Sequence, residues 1–181
     1  MTAGRRILVT AELTAEALSR LREVAEVDYQ PRSQTKRMLA GAKLVEVVAG
    51  HDVFVTEVDQ IKGAAIFDQL PELRLIGSCR GAPVNVDVQT ATARGIPVLN
   101  TPGRNAISVA ELTVAFMLSL ARHIPETAAI LKSSQGGPMR MARAFVEFQG
   151  SELFGKTVGL VGLGAVGREV AKRLAAFGCR V

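Results

Sequence analysis

The stretch from Lys156 to Val181 constrains this chain more than any other. Thr157 to Val161 is a short, apolar, β-branched run, as expected of a strand buried on both faces. Gly162, Gly164 and Gly167 follow at G-x-G-x-x-G spacing. Val166, Val170, Ala171 and Leu174 then recur at helical spacing, and Gly178 stands where a C′ glycine would close that helix. A strand, a glycine turn and a helix in that order make the first half of a parallel β-α-β unit, which points to an α/β fold.

The three glycines answer to separate constraints. Gly162 permits the tight turn, Gly164 has no Cβ to hold a pyrophosphate away from the backbone, and Gly167 lets helix and strand pack closely. The helix N-terminus adds free N–H groups and a positive dipole end. With strand and helix both in place, the spacing reads as a dinucleotide fingerprint; the plainer reading is a glycine turn that only packs. The acidic residue that holds an adenosine ribose belongs ≈ 20 residues after the first glycine, and counted from Gly162 it falls beyond Val181. The chain therefore reads as a fragment of a longer enzyme.

Upstream, short apolar runs alternate with helical periodicity. Strands are predicted at Ile7–Thr10, Val27–Tyr29, Asp52–Thr56, Leu73–Ser78 and Ile96–Asn100. Leu13, Ala17, Leu18, Leu21 and Val24 mark a helix face with Thr14 as N-cap. Thr35–Ala49 reads as one helix, Ala64–Leu70 as a short one before Pro71, and Val88–Arg94 as one closed by Gly95. Such alternation predicts a parallel sheet with helices on both faces, whose ligands bind at the carboxyl ends of the strands. The loop Cys79-Arg-Gly-Ala-Pro-Val-Asn85 follows the fourth strand and is the first candidate for a substrate site.

After Pro102 and Gly103, Ser108 and Glu111 have capping-box spacing ahead of a helix apolar nearly all round. That helix should be buried between domains or subunits. Glu111 is then either a cap or a catalytic carboxylate. Pro125 ends the helix, Glu126–Ser133 restarts one, and Ser133–Pro138 reads as a loop. His51 before a strand and His123 at a helix end look like surface or helix-end residues. Cys79 is a nucleophile by residue type only and reads better as a small packing residue.

Composition narrows the function classes. At 181 residues and 48% hydrophobic, the chain can build one domain or two small ones. The net charge of +5 is scattered, and one Tyr with no Trp offers little for base stacking, so no nucleic-acid partner is expected. No membrane partner is expected either: the longest apolar run, Leu112–Ala121, is interrupted by Thr113 and Ser119. No signal-peptide core precedes Ile7, and Cys79 and Cys179 form neither a metal nor a disulfide pattern; no metal is expected, and a cytoplasmic location fits.

Four stretches carry a family resemblance. They are Leu73-Arg-Leu-Ile-Gly77; Asn85-Val-Asp87 through Ala93-Arg-Gly-Ile-Pro-Val-Leu-Asn-Thr-Pro102; Ser108-Val-Ala-Glu-Leu-Thr113 through Leu120-Ala-Arg122; and Gly150-Ser-Glu-Leu-Phe-Gly-Lys-Thr-Val-Gly-Leu-Val-Gly-Leu-Gly164. The chain resembles the D-isomer-specific 2-hydroxyacid dehydrogenases, in their D-3-phosphoglycerate dehydrogenase-like branch. The resemblance implies a flavodoxin-like substrate-binding domain over 1–101. It implies that 102–181 holds the interdomain helix and the start of a Rossmann NAD-binding domain. It also implies hydride transfer between a nicotinamide cofactor, NAD or NADP, and a small anionic 2-hydroxy or 2-keto acid, in a homodimer when full length, with Ser108–Arg122 joining the domains.

By the same resemblance Cys79, Arg80, Gly81 and Ala82 bind substrate through backbone N–H groups, and Gly81 lies beside the nicotinamide. Gly162, Gly164, Ala165, Val166 and Gly167 hold the pyrophosphate. No catalytic residue is assigned, because the family's catalytic Arg, Glu and His match positions past Val181; the chain alone is expected to be inactive. The loop departs from the family form: Val84 replaces an Asp, and Arg80 and Pro83 are added. Arg80 suits a second anionic or polyhydroxylated group on the substrate, or else points to solvent or pairs with a structural carboxylate. Two other readings stand beside the enzyme: a non-catalytic NAD-sensing protein like the corepressors of this fold, and a stand-alone small-ligand binding domain.

Overall fold

The computed structural model describes residues 4–133 and 137–181. The chain divides into two compact units, one up to Pro102 and one from Gly103.

The first unit is one five-stranded sheet built from β1 (Arg6–Val9), β2 (Glu26–Tyr29), β3 (Val53–Thr56), β4 (Leu75–Ser78) and β5 (Val98–Asn100). All neighbours are parallel and the order is β2-β1-β3-β4-β5. This is the flavodoxin-like order, as expected, and it puts a topological switch point between β1 and β3. The apolar runs form the central strands because burial on both faces demands it: Leu8, Val9, Phe54 and Ile76 have no exposed surface. Leu8, Phe54 and Ile76 pack against Leu44, Val48, Phe67 and Leu70 of the connecting segments. The helices of this unit are α1 (Ala15–Arg22), α2 (Arg32–Thr35), α3 (Gly41–Val48), α4 (Ala64–Asp68) and α5 (Val88–Ala93). Thr14 caps α1 as read from the sequence, its hydroxyl accepting the Ala17 N–H at 3.2 Å.

The single helix expected over Thr35–Ala49 is two. The turn α2 closes on Lys36, which takes a left-handed φ of 55°, and α3 starts afresh at Gly41. Between them the chain runs inward: buried Leu39 donates its N–H to the Asp59 carboxylate at 2.7 Å, and Ala40 bridges to Gln60. A tie to a buried acceptor overrode helical spacing. His51 also departs from the surface reading. It is 5% exposed, with its Nδ1 3.1 Å from the Val48 carbonyl at the end of α3.

The second unit holds α6 (Ala106–Ala121), α7 (Ile124–Lys132), α8 (Pro138–Glu147) and α9 (Ala165–Ala176). Ala110 and Val114 of α6 pack on Val170 and Leu174 of α9. Two sequence expectations fail here. First, α6 begins two residues before Ser108 with Asn105 as N-cap, so Ser108 sits in the first turn and caps nothing; Glu111 reaches Arg173 of α9 at 3.1 Å instead. Second, Thr157–Val161 is not a ladder strand but makes a single parallel bridge, Thr157 to Arg180. A ladder needs successive residues paired with a neighbouring strand; this stretch has one bridging residue, and Val161 is fully exposed. Within the single chain α6 buries one face, and Ile107, Leu112, Phe116 and Leu120 are more than half exposed. The helix α8 carried no sequence expectation; of the loop expected over Ser133–Pro138, residues 134–136 lie outside the described residues and Pro138 opens α8. Pro125 sits in the first turn of α7, where a missing N–H costs nothing.

Gly178 closes α9 as expected. Its φ is +73°, its N–H reaches the Ala175 carbonyl at 2.9 Å, and the Cys179 N–H reaches Leu174 at 3.0 Å, a Schellman closure. Gly178→Ala should cost roughly 1–2 kcal/mol from the left-handed backbone alone. A new Cβ would also stand 2.6 Å from the Phe154 ring, which must move. Equal urea midpoints for variant and parent would contradict this.

On α9, Glu169 accepts from Lys172 Nζ at 2.7 Å and from Arg173 at 2.8 Å. Lys172 first, then Arg173, hold its carboxyl below the ordinary 4.5. A lowered carboxylate stabilises the fold above its unfolded pKa and loses that contribution as pH falls through the folded value. Between pH 6 and pH 3 the melting temperature of the parent should therefore fall further than that of Glu169→Gln. Parallel curves would remove the ion pairs from the account.

Candidate functional site

In the first unit the candidate site is the carboxyl edge of the sheet. The loop after β4 brings Cys79, Arg80, Gly81 and Ala82 together. Its feet are fastened: the Cys79 N–H donates to the Thr56 carbonyl at 2.7 Å, and the Thr101 N–H to the Arg80 carbonyl at 2.9 Å. Asn100 Nδ2 donates to the Gly81 carbonyl at 2.7 Å, and the Val84 N–H to Ala82 at 2.8 Å. Three successive loop carbonyls are thus taken up. The N–H groups of Gly81 and Ala82 donate to no acceptor among the described residues, and both residues are exposed. Adjacent unpaired N–H donors in a short loop are suited to a carboxylate.

The Arg80 side chain is half-buried and folds back onto the end of β3, donating to the Glu57 carbonyl at 3.2 Å. Glu57 also lines a cavity of ≈ 380 Å³ over the ends of β1 and β3, together with Thr10, Glu12, Arg32 and Lys36. Two cations and two carboxylates make that cavity polar and charge-balanced. Glu12 is oriented in it by Ser33, whose N–H and hydroxyl donate to its two oxygens at 2.7 and 3.0 Å.

Beneath the loop lies a buried polar group that sequence reasoning missed. Asp59 is 2% exposed and accepts from Thr10 Oγ1 (2.5 Å), Thr56 Oγ1 (2.7 Å) and the Leu39 N–H (2.7 Å). Its own carbonyl accepts Asn85 Nδ2 at 3.0 Å. The signal was present: Thr10, Thr56 and Ser78 each stand at the end of an apolar strand run, where a hydroxyl has no reason to be unless something receives it.

In the second unit the candidate site is the turn before α9. Gly162 has φ +96°, a conformation that favours glycine. A Cβ on Gly164 would meet nothing within 4 Å, whereas one on Gly167 would run into the Gly162 carbonyl. Gly164 is the N-cap, and the first helical bond, Arg168 N–H to the Gly164 carbonyl at 3.0 Å, leaves the N–H groups of Ala165, Val166 and Gly167 without a helical acceptor. Open space at Gly164 facing three free donors at a helix N-terminus fits a pyrophosphate. Gly162, Gly164, Ala165, Val166 and Gly167 are therefore one cluster, and Cys79 to Ala82 another. Among the described residues no group of three or more His, Cys, Asp and Glu side chains is placed to hold a metal ion.

Comparison with known proteins gives the family and the fold. Residues 7–177 match the model of the D-isomer specific 2-hydroxyacid dehydrogenase catalytic domain. The chain is 37% identical over 176 residues to a D-3-phosphoglycerate dehydrogenase of Methanocaldococcus jannaschii, covering 97% of this chain and 31% of that protein. To a hydroxypyruvate reductase of Thermotoga maritima it is 36% identical over 176 residues, covering 97% and 54%. The chain thus spans about half or less of these relatives. Among solved structures, the TT0316 protein of Thermus thermophilus superposes with a TM-score of 0.81 at 35% identity, over 97% of this chain and 54% of that one. An NAD⁺-bound 3-phosphoglycerate dehydrogenase of Entamoeba histolytica shares the fold at 23% identity, with a TM-score of 0.70 over 98% and 53%.

Proposed function

Because this chain belongs to the D-isomer-specific 2-hydroxyacid dehydrogenase family, we propose that the protein carrying it is an NAD-dependent oxidoreductase interconverting 2-oxo acids and D-2-hydroxy acids. The observation that carries this reading is the pair of unpartnered N–H donors, Gly81 and Ala82, exposed at the carboxyl edge of a parallel sheet. They bind and orient the substrate carboxylate, with Cys79 and Arg80 shaping the same loop. Gly162, Gly164, Ala165, Val166 and Gly167 hold the cofactor pyrophosphate, and the nicotinamide, when bound, supplies the hydride. The exposed apolar face of α6, with Ile107, Leu112, Phe116 and Leu120, reads as a subunit surface of a homodimer. Two cysteines outside any disulfide fit a cytoplasmic location.

The 181-residue chain by itself reads as a binding half without turnover. His51 is buried at the end of α3, and His123 packs against Phe148 in a tilted contact with ring centroids 5.8 Å apart; neither is in the Cys79–Ala82 loop. The full-length protein should oxidise NADH with glyoxylate, hydroxypyruvate or a larger 2-oxo acid, while the 181-residue chain should not; NADPH is the comparison arm. NADH binding without turnover by the full-length protein on any of these would favour the non-catalytic NAD sensor. Absence of both would end the reading.

A further inference from the structure

The Cys79–Val84 loop is poorly suited to hold its own shape. Gly81 and Ala82 are exposed, Val84 is 62% exposed, and a Cβ on Gly81 would meet nothing within 4 Å. Its geometry comes from ties to its surroundings: Thr101 and Asn100 hold the Arg80 and Gly81 carbonyls, and the two feet add a second, buried set. Ser78 precedes the loop, Asn85 follows it, and the Ser78 hydroxyl donates to Asn85 Oδ1 at 2.9 Å, so the two feet are tied side chain to side chain. Asn85 Nδ2 then donates to the Asp59 carbonyl at 3.0 Å, and the Asn85 carbonyl accepts the Ile61 N–H at 2.9 Å. Asn85 is 1% exposed, Ser78 and Asp59 2%, and Thr56 not at all.

We infer that Asp59 and Asn85 are positioning residues for the Gly81 and Ala82 donors. A buried carboxylate is tolerated only when its oxygens are satisfied. The three donors on Asp59 come from the end of β1, the end of β3 and the segment before α3, so satisfying them fixes where the Asp59 backbone lies. That backbone carries the acceptor that holds Asn85. Each member of such a network leaves a buried group unpaired if it shifts, so the arrangement is enforced rather than merely permitted. The result is a loop whose Arg80, Gly81 and Ala82 carbonyls are taken up while the Gly81 and Ala82 N–H groups are left without an acceptor among the described residues. The inference rests on the proposed function for what those donors bind.

The test uses Asn85→Ala, Ser78→Ala and Ser78→Thr in the full-length protein, with 2-oxo acid kinetics, NADH affinity and amide hydrogen exchange. In Asn85→Ala, KM for the 2-oxo acid should rise roughly ten- to a hundredfold, with kcat changed by less than about threefold and NADH affinity unchanged. Ser78→Ala should raise KM about three- to tenfold, and Ser78→Thr, which keeps the hydroxyl, should restore it. The Val84, Val86 and Thr101 amides should exchange at least about tenfold faster in the Ala variants while those of β1 and β3 do not. If Asn85→Ala does not fold, the Ser78 pair decides. Faster loop exchange with KM unchanged, or KM and kcat falling together with no recovery in Ser78→Thr, would overturn the inference. If the parent reduces no 2-oxo acid, the proposed function fails; the exchange arm still decides the clamp, and unchanged exchange overturns it.

Discussion

Gly164→Val in the full-length protein is expected to weaken NADH binding by about a hundredfold, a loss near 3 kcal/mol, while the melting temperature stays within a few degrees of the parent. The two halves of that expectation come from the same observation. A Cβ at Gly164 meets no protein atom within 4 Å, so the fold has room for a side chain there. That room lies beside the free N–H groups of Ala165, Val166 and Gly167, and a pyrophosphate has to occupy it to use those donors. An isopropyl group would take the place of the ligand and nothing else. Gly167 is the internal contrast. Its Cβ would collide with the Gly162 carbonyl, so Gly167→Val should lose stability and cofactor together. Calorimetry of NADH with both variants, beside their melting curves, separates the cases. Unchanged affinity in Gly164→Val would reduce the three glycines to a packing turn.

What the sequence disclosed, it disclosed through burial. Leu8, Phe54 and Ile76 had to be inside, and short apolar runs between helical stretches had to pair in parallel; the five-strand order agrees with the flavodoxin-like fold that the family resemblance implied. Local chemistry was equally legible where it was self-contained: Thr14 caps the residue three positions on, and Gly178 closes the helix it follows. Three of the failures share one cause, a partner remote in sequence. Leu39 abandons helical spacing because Asp59 waits twenty residues away. Glu111, spaced for a cap, finds Arg173 sixty-two residues on. Thr157 to Val161 has the composition of a buried strand, yet composition cannot provide neighbours, and only Arg180 bridges to it.

The site follows the same division. Gly162, Gly164 and Gly167 were legible because their constraint is backbone geometry within one turn. The Cys79–Ala82 loop was legible as a place, since the carboxyl end of a parallel strand is where ligands bind. Its support was not. Asp59 and Asn85 contact each other across twenty-six residues; the hydroxyls of Thr56 and Ser78 at the strand ends hint at a buried acceptor without saying which residue it is.

Arg80→Ala in the full-length protein is expected to raise KM roughly ten- to a hundredfold for 2-oxo acids bearing a second anionic or polyhydroxylated group, and to leave glyoxylate within about threefold. Arg80 lies one residue before the two free N–H donors, and its guanidinium is anchored by the Glu57 carbonyl at 3.2 Å rather than extended into solvent. The cation is therefore held on the same loop as the two donors that would take the substrate carboxylate. A guanidinium has five N–H donors, and one bond to a carbonyl leaves others to recognise oxygen atoms. Arg80→Lys should recover part of the loss through charge but not the planar donor fork. A uniform loss across small and large substrates would instead make Arg80 a brace holding the loop to β3. Unchanged kinetics across the whole panel would place it outside the site.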